Sequence, residues 1–219
     1  AVCGSAFAVS QLAVEKTSAE IPVNDSSVAI SERGQLNIQT ASLSTVQSGW
    51  TQAVQTSISS GAQVTFKLTE NWLNTILGTG AGFKDGALYV PDGADIKLDL
   101  NGKKISRNLT AARAGGNIIT VEGKLEICDT SAAKRGAVTG AYSETYGAVY
   151  VDGGSLIITD ANINGNRAKN GGGVYLDNGA SMIMNGGSLS ENVTESAGAA
   201  VYMGKNTSFV LNLSLIHIS

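Results

Sequence analysis

The stretch that decides the fold is GAVYVDGGSLIITDANINGN, residues 147–166. It is followed by GGVYLDNGASMIMNGGSLSEN, residues 172–192, and by AAVYMGKNTSFVL, residues 199–211. The three stretches align on Tyr150, Tyr175 and Tyr202, which lie 25 and 27 residues apart. An internal period of this length is typical of solenoids, in which each repeat buries its apolar face against the next one.

Each repeat contains three short apolar elements separated by Gly, Asn and Asp. The first element, VYV at 149–151, has earlier counterparts at residues 88–90 and 119–121. The second element recurs at residues 96–100, 125–127, 156–158, 182–184 and 209–211, and the third centres on Ile105, Val138, Ile163 and Leu189. Three strands per repeat predict a three-sided coil, with neighbouring coils about 4.8 Å apart.

The repeats, together with GALYVPDGADIKLDLNGKKI at residues 86–105, resemble the right-handed parallel β-helix repeats of bacterial adhesin-like surface proteins. These proteins are relatives of the pectate-lyase fold, and the resemblance covers roughly residues 60–212. It implies an all-β solenoid of about five coils in a secreted or cell-surface protein. The same fold carries both enzymes and passive stalks, so the resemblance alone does not assign an activity.

Composition restricts the partners of the chain. Its 219 residues carry a net charge of −3, and the 15 Lys and Arg residues are scattered, which disfavours nucleic acid as a partner. No apolar run reaches the ~18 residues that a membrane span needs. Cys3 and Cys128 lie far apart and have no CxxC neighbour, so we expect two free thiols.

The region before the repeats is predicted to form an N-terminal cap over residues 45–78. Ser48 is a candidate helix cap, and Trp50, Val54 and Ile58 follow at helical spacing until Gly61. Residues 63–68 alternate like a strand, and residues 69–77 are a second candidate helix. A helix across the first coil would cover the terminal edge of the solenoid.

The two ends of the chain are predicted to lie outside the solenoid, which we place at residues 79–212. We interpret the start of residues 1–44 as either the remnant of a signal peptide or a frayed N-terminal segment, and the rest as a polar lead-in, which is either a linker or an edge strand. Residues 213–219 resemble the translation of a sequencing adapter, and we expect them to be non-native. His217, the only histidine, falls in this tail, so no histidine-based catalysis is expected.

The tyrosines define the main candidate binding surface. Strand side chains alternate between faces, so the central residue of each VYV triplet points outward. This places Tyr89, Thr120, Tyr150, Tyr175 and Tyr202 in one row. The row is either a strip on which sugar rings stack or a ladder that only stabilises its own sheet.

Two further sets of side chains repeat along the coils. Residues at the corner after the second strand are expected to form a structural ladder, because Asn and Asp accept turn conformations; they are Asn101, Asp129, Asp160 and Asn185. Outward positions of the second strands change from charged to apolar along the chain, from Lys97, Asp99 and Glu126 to Ile157, Ile183 and Val210. This change marks either a covered face or a register shifted by one residue.

The candidate residues favour binding over catalysis. The nearest acid–base cluster consists of Asp95, Lys97, Asp99 and Glu126, and we expect it to be a solvated surface cluster. One carboxylate per coil is too few for a calcium site, so neither a metal nor a cofactor is expected. We therefore expect a non-catalytic module that acts as a spacer or binds polysaccharide, host glycan or a surface protein. The alternative is a polysaccharide lyase or glycoside hydrolase of the pectate-lyase-like fold.

Overall fold

The computed structural model describes residues 21–23, 26–30, 36–39, 43–212 and 217–218. Within these ranges one helix is followed by short strands that wind into a parallel solenoid of about five turns. The predicted all-β parallel solenoid with a short N-terminal helix is therefore confirmed.

Three sheets form the sides of the solenoid. The long sheet contains, in spatial order, Ile21–Val23, Ser26–Ile30, Leu36–Gln39, Val64–Lys67, Asp95–Asp99, Lys124–Cys128, Ser155–Thr159, Ser181–Met184 and Ser208–Leu211. The tyrosine sheet contains Phe83–Lys84, Ala87–Val90, Ile119–Val121, Val149–Asp152, Val174–Asp177 and Val201–Met203. The third sheet contains Trp72–Leu73, Lys104–Ser106, Ala137–Thr139, Ala161–Asn164, Gly187–Ser190 and His217–Ile218.

A fourth, small sheet was not predicted from the sequence. It consists of Tyr142–Ser143, Arg167–Asn170 and Val193–Ala197, which pair in parallel. These segments are polar and lack an alternating apolar pattern, so strand periodicity gives no signal for them.

Alternation of side chains builds the core. Val149 and Val151 are fully buried while Tyr150 between them is half-exposed. One inward row of the long sheet runs through four coils in strict register and is buried throughout, with Ile96, Leu125, Leu156 and Met182 as its members. Burying each such side chain contributes about 1.5–3 kcal/mol, so the inward rows provide most of the driving force for coiling.

The helix Leu43–Ser60 packs against the first coil, in the region predicted to form the cap. It buries Trp50 and Val54, whereas Ile58 is 48% exposed and does not belong to the buried face. Gly61 ends the helix as predicted: its φ is +65°, and its N–H donates to the Ser57 carbonyl at 2.9 Å. The helix begins five residues before Ser48, so Ser48 is not its N-terminal cap.

The second predicted helix, at residues 69–77, is wrong. Trp72 lies in the short strand Trp72–Leu73, pairs with Ile105 and is fully buried. It contacts Phe66 and Phe83 at centroid distances of 6.2 and 6.1 Å, and Phe66 meets Trp50 of the helix edge-on at 5.4 Å. Two apolar residues four apart suit a helix, but tertiary packing on Ile105 draws this segment into the third sheet.

The ends of the chain differ from the expectations in part. The lead-in contributes three strands to the edge of the long sheet, and Leu36–Gln39 pairs in parallel with Val64–Lys67. The edge-strand alternative is therefore the correct one, while residues 1–20, including Cys3, lie outside the described residues. His217–Ile218 of the predicted non-native tail pairs with the strand Gly187–Ser190.

Two buried polar groups hold the loops of the solenoid. The guanidinium of Arg107 is fully buried and donates to four backbone carbonyls, those of Thr75, Asp85, Gly115 and Asn117. In the later coils the buried Asn166 amide donates to Asn192 Oδ1 at 3.0 Å and to the Val138 carbonyl at 3.1 Å. Such satisfied networks fix one arrangement of the turns that they join.

Candidate functional site

The structure places the predicted tyrosine row on the outer face of the tyrosine sheet. Tyr150 pairs in register with Tyr175, which pairs with Tyr202, and Thr120 lies between Tyr89 and Tyr150. Each tyrosine is half-exposed, whereas Thr120 is almost fully buried. Tyr89 is therefore separated from the other three rings by one coil without an aromatic residue.

The three later tyrosines form a cluster with Tyr146. Tyr146 lies flat on Tyr150, with ring centroids 3.9 Å apart, and meets Tyr175 edge-on at 5.2 Å. Tyr175 in turn stacks on Tyr202 at 4.6 Å. We call Tyr146, Tyr150, Tyr175 and Tyr202 the tyrosine cluster.

Sequence reasoning missed Tyr146 because it has no counterpart in the repeats. Neighbouring coils carry Gly171 and Gly198 at the corresponding place before the strand. The available signal was an aromatic residue four positions before Tyr150, in a segment that is otherwise Gly or polar.

Tyr89 belongs to a separate polar group. Its hydroxyl donates to Glu122 Oε2 at 2.5 Å, and Lys84 Nζ lies 3.0 Å from Glu122 Oε1 and 5.2 Å from the Tyr89 ring centroid. Burial first, then the hydrogen bond to Glu122, raises the pKa of Tyr89 to about 12. The Tyr89 hydroxyl, followed by Lys84, lowers the pKa of Glu122 despite its partial burial. Both groups are held in their ordinary charge states at neutral pH.

A row of carboxylates runs beside the tyrosines. Asp152 and Asp177 pair in register, two residues after Tyr150 and Tyr175, and therefore share their outer face. Asn178 joins them: its Nδ2 donates to Asp152 Oδ1 at 2.6 Å, and its backbone N–H donates to Asp177 Oδ1 at 2.9 Å. Ionised carboxylates of this kind can accept hydrogen bonds from the hydroxyl or ammonium groups of a ligand.

A groove with a volume of about 420 Å³ follows the corner next to this row. Its walls include Asp92, Glu122 and Lys124, and its floor is rich in glycine, including Gly123, Gly153, Gly154 and Gly179. Stacking of the coils requires some of these glycines, because a Cβ on Gly123 would lie 2.5 Å from the Ala94 carbonyl oxygen. The groove is open, its lining is contributed about equally by polar and apolar atoms, and it runs along successive coils.

The four predicted corner residues share one corner but not one position. Asp99, Cys128 and Thr159 align, and Asn185 continues that column because Met184 pairs with Ile158. Asp129 and Asp160 follow one residue later, and Asn101 two residues after Asp99. Contacts between coils nevertheless occur at all four sites. They are Asn101 Nδ2 to the Leu68 carbonyl, the Gly102 N–H to Asp129 Oδ1, Lys134 Nζ to Asp160 Oδ2 and Asn212 Nδ2 to Asn185 Oδ1.

The acid–base cluster of the long sheet is divided between two ion pairs. Lys97 lies 2.9 Å from Glu126, and Asp99 lies 3.2 Å from Lys67. Asp99 is only 2% exposed, so it is not the outward solvated charge that the alternation predicted. Burial raises the pKa of Asp99, but hydrogen bonds from Thr130, Asn101 and Lys67 outweigh it and lower that pKa overall.

The outward apolar residues of the long sheet are not the result of a shifted register. Lys97, Glu126, Ile157, Ile183 and Val210 occupy one row from coil to coil. Val210 is 49% exposed, and the two isoleucines are partly exposed. The change from charged to apolar side chains is a property of the surface itself.

Metal, membrane and redox features give no further site. Cys128 is a free, buried thiol whose pKa burial raises to about 12. No group of three His, Cys, Asp or Glu residues suited to a metal occurs in the described part of the chain. Its one helix is not long and apolar enough to cross a membrane.

Comparisons with protein-family models, curated proteins and solved structures give no match to this chain. The site must therefore be interpreted from its own geometry.

Proposed function

We propose that this chain is a non-catalytic β-helix module of a secreted or cell-surface protein, adhesin-like in role, which binds glycan at the tyrosine cluster. The observation that carries the proposal is the set of four half-exposed rings, supplied by three coils to one outer face. Tyrosine offers rigid contact area with a polar tip, a combination suited to ligands with apolar ring faces and many hydroxyls.

The surroundings of the cluster add the polar half of such a site. Asp152, Asp177 and Asn178 lie along the same edge of the sheet and provide acceptors and an amide for sugar hydroxyls. The adjoining groove continues in the direction in which the coils stack. A surface of this shape suits an extended chain of sugars better than a small enclosed ligand.

The carboxylates nearest to basic groups argue against glycosidic bond cleavage. General acid catalysis needs a carboxyl whose pKa is raised toward the working pH. The pKa of Glu122 is instead lowered, first by the Tyr89 hydroxyl and then by Lys84, and Glu126 is paired with Lys97. These contacts favour binding as the role of the surface.

The test is a glycan array on which binding and the release of reducing or unsaturated sugars are measured together. The proposal expects binding without release, and at least about fivefold weaker binding of Tyr150→Ala and Tyr175→Ala, because each removes a stacking ring worth about 1–3 kcal/mol in comparable aromatic sites. Tyr142→Ala is the matched control, since Tyr142 lies on the small sheet beside Arg167. Sugar release would support the enzyme instead, and binding unaffected by both cluster variants would overturn the assigned surface.

A further inference from the structure

Asp152 and Asp177 combine two properties: they pair in register beside the rings of the tyrosine cluster, and they form no ion pair with the described residues. Glu122, Glu126, Asp99 and Asp160 each lie within 4.0 Å of a lysine nitrogen. By contrast, the side-chain hydrogen bonds of Asp152 and Asp177 within the described part of the chain are with Asn178. Both are half-exposed on the face that carries the rings. Their negative charges are therefore available to a ligand.

The same charges act on the cluster. Burial is the main reason why the pKa of Tyr150 is raised, and the next cause is Asp152, with Asp177 also contributing. The pKa of Tyr175 is likewise raised by burial and then by Asp177. The rings and the carboxylates are therefore close enough for one ligand to contact both.

We propose that the glycan bound at the tyrosine cluster carries free amino groups, as in a polymer of de-N-acetylated hexosamine. This inference rests on the proposed glycan binding and adds the charge of the ligand. A sugar ammonium can donate charge-assisted hydrogen bonds to Asp152 or Asp177 while an adjacent ring face packs on Tyr150 or Tyr175. A uronate polymer would bring its carboxylates against the same two aspartates, and like charges oppose such a complex.

The register favours a polymer over a single sugar. Asp152 and Asp177 occupy equivalent positions on neighbouring coils, as do Tyr150 and Tyr175. Adjacent parallel strands are about 4.8 Å apart, so ring and carboxylate recur together along the solenoid axis. An extended polysaccharide lying on this face can therefore contact a tyrosine and an aspartate with more than one of its sugars.

The inference is tested by calorimetric titration of the whole chain with three soluble oligosaccharides of equal length. These are a glucosamine oligomer, its N-acetylated counterpart and an oligogalacturonate, each measured at low and high salt. We expect the glucosamine oligomer to bind at least about tenfold more tightly than the other two, with a preference that shrinks as salt rises.

Substitutions identify the residues responsible. Asp152→Asn with Asp177→Asn keeps the shape of the side chains and should remove the preference, whereas Glu191→Gln with Glu195→Gln removes two exposed charges elsewhere and should retain it. Equal binding of the amino and N-acetyl oligomers, still dependent on Tyr150, would overturn this inference and leave glycan binding intact. Failure of all three oligomers to bind would count against the proposed function itself.

Poly-lysine separates glycan recognition from simple charge attraction. Poly-lysine could bind as tightly as the glucosamine oligomer, with the binding of both unaffected by Tyr150→Ala. In that case the face attracts cations without recognising sugar, and the inference is overturned. We expect Tyr150→Ala to weaken the binding of the glucosamine oligomer and to leave any weak binding of poly-lysine unchanged.

Discussion

The earlier and later coils of the solenoid share one backbone path but are held together by different side-chain chemistry. Before residue 140, three ion pairs bridge coils, namely Lys67–Asp99, Lys84–Glu122 and Lys97–Glu126. After residue 140, the side-chain contacts between coils include hydrogen bonds of amide side chains and stacked aromatic rings, as in Asn166–Asn192, Asn185–Asn212 and Tyr175–Tyr202. Among the described residues, Lys134–Asp160 is the only ion pair that connects the two regions.

The difference teaches which positions the fold controls. Inward residues keep their apolar character in every coil, from Ile96 through Leu156 to Met182. The adjacent outward position passes from Lys97 to Ile157 without any change of register. Inward rows therefore determine the coil, and outward rows are free to acquire surface properties such as the tyrosine cluster.

The largest expected effect is in the later coils, at the buried amide pair. Asn166→Ala removes the acceptor of the Ala141 N–H and the donor to the Val138 carbonyl, leaving both without a partner in the interior. We expect a loss of about 3 kcal/mol in the free energy of unfolding, measured by urea denaturation. Asn164→Ala is the control, because Asn164 points outward and its side chain makes no hydrogen bond to the described residues; a similar loss there would refute a special role for the pair.

An intermediate effect is expected at Asp99 in the earlier coils. Asp99→Asn should cost about 2 kcal/mol at pH 7, since hydrogen bonds to a charged group are among the stronger ones. The pKa of Asp99 is lowered in the folded state, so its contribution is complete above its ordinary pKa of 3.8 and is lost as the pH falls through the folded value.

The difference in stability between wild type and Asp99→Asn should therefore narrow below about pH 4. Denaturation curves from pH 7 to pH 2 measure it, with the exposed Asp92→Asn as the control that stays within about 0.5 kcal/mol of wild type. A constant difference across this range would show that the ionised carboxylate is not what stabilises the corner.

The smallest effect is expected when the outward ion pair of the earlier coils is replaced by the apolar residues found at the same row in the later coils. Lys97→Ile with Glu126→Ile gives the earlier coils the outward residues of the later ones. Because this pair is partly exposed, we expect a coupling of only about 0.5 kcal/mol in a double-mutant cycle. A coupling above about 2 kcal/mol would mean that ion pairs determine the earlier coils, contrary to the view that inward rows do.

The sequence predicted the solenoid and the register of its three sides because the residues that point inward are buried and must be apolar, which produces the alternation in each strand. It also placed Tyr89, Tyr150, Tyr175 and Tyr202 in the correct row. Trp72 was assigned to the wrong element, because a two-residue strand has too few positions to show its period.

The polar features were harder to predict because their geometry depends on turns. Asn166 and Asn192 occupy the same position, at the ends of two successive repeats, and this match was the available sign of a buried amide pair. Tyr146 lies outside the repeat, and its ring reaches the face only through the turn that precedes Val149. Loop conformation, unlike strand alternation, has no simple period in the sequence.

The unit of residues 147–171 contains one strand of each sheet and repeats its hydrogen-bonding register on the next coil. Each coil contacts only its neighbours, so a tandem duplication of this unit would be accommodated without redesign of the core. The duplication would add one tyrosine and one aspartate to the same face. Recombination can therefore lengthen the aromatic surface one coil at a time, and multivalent attachment would strengthen with each added coil.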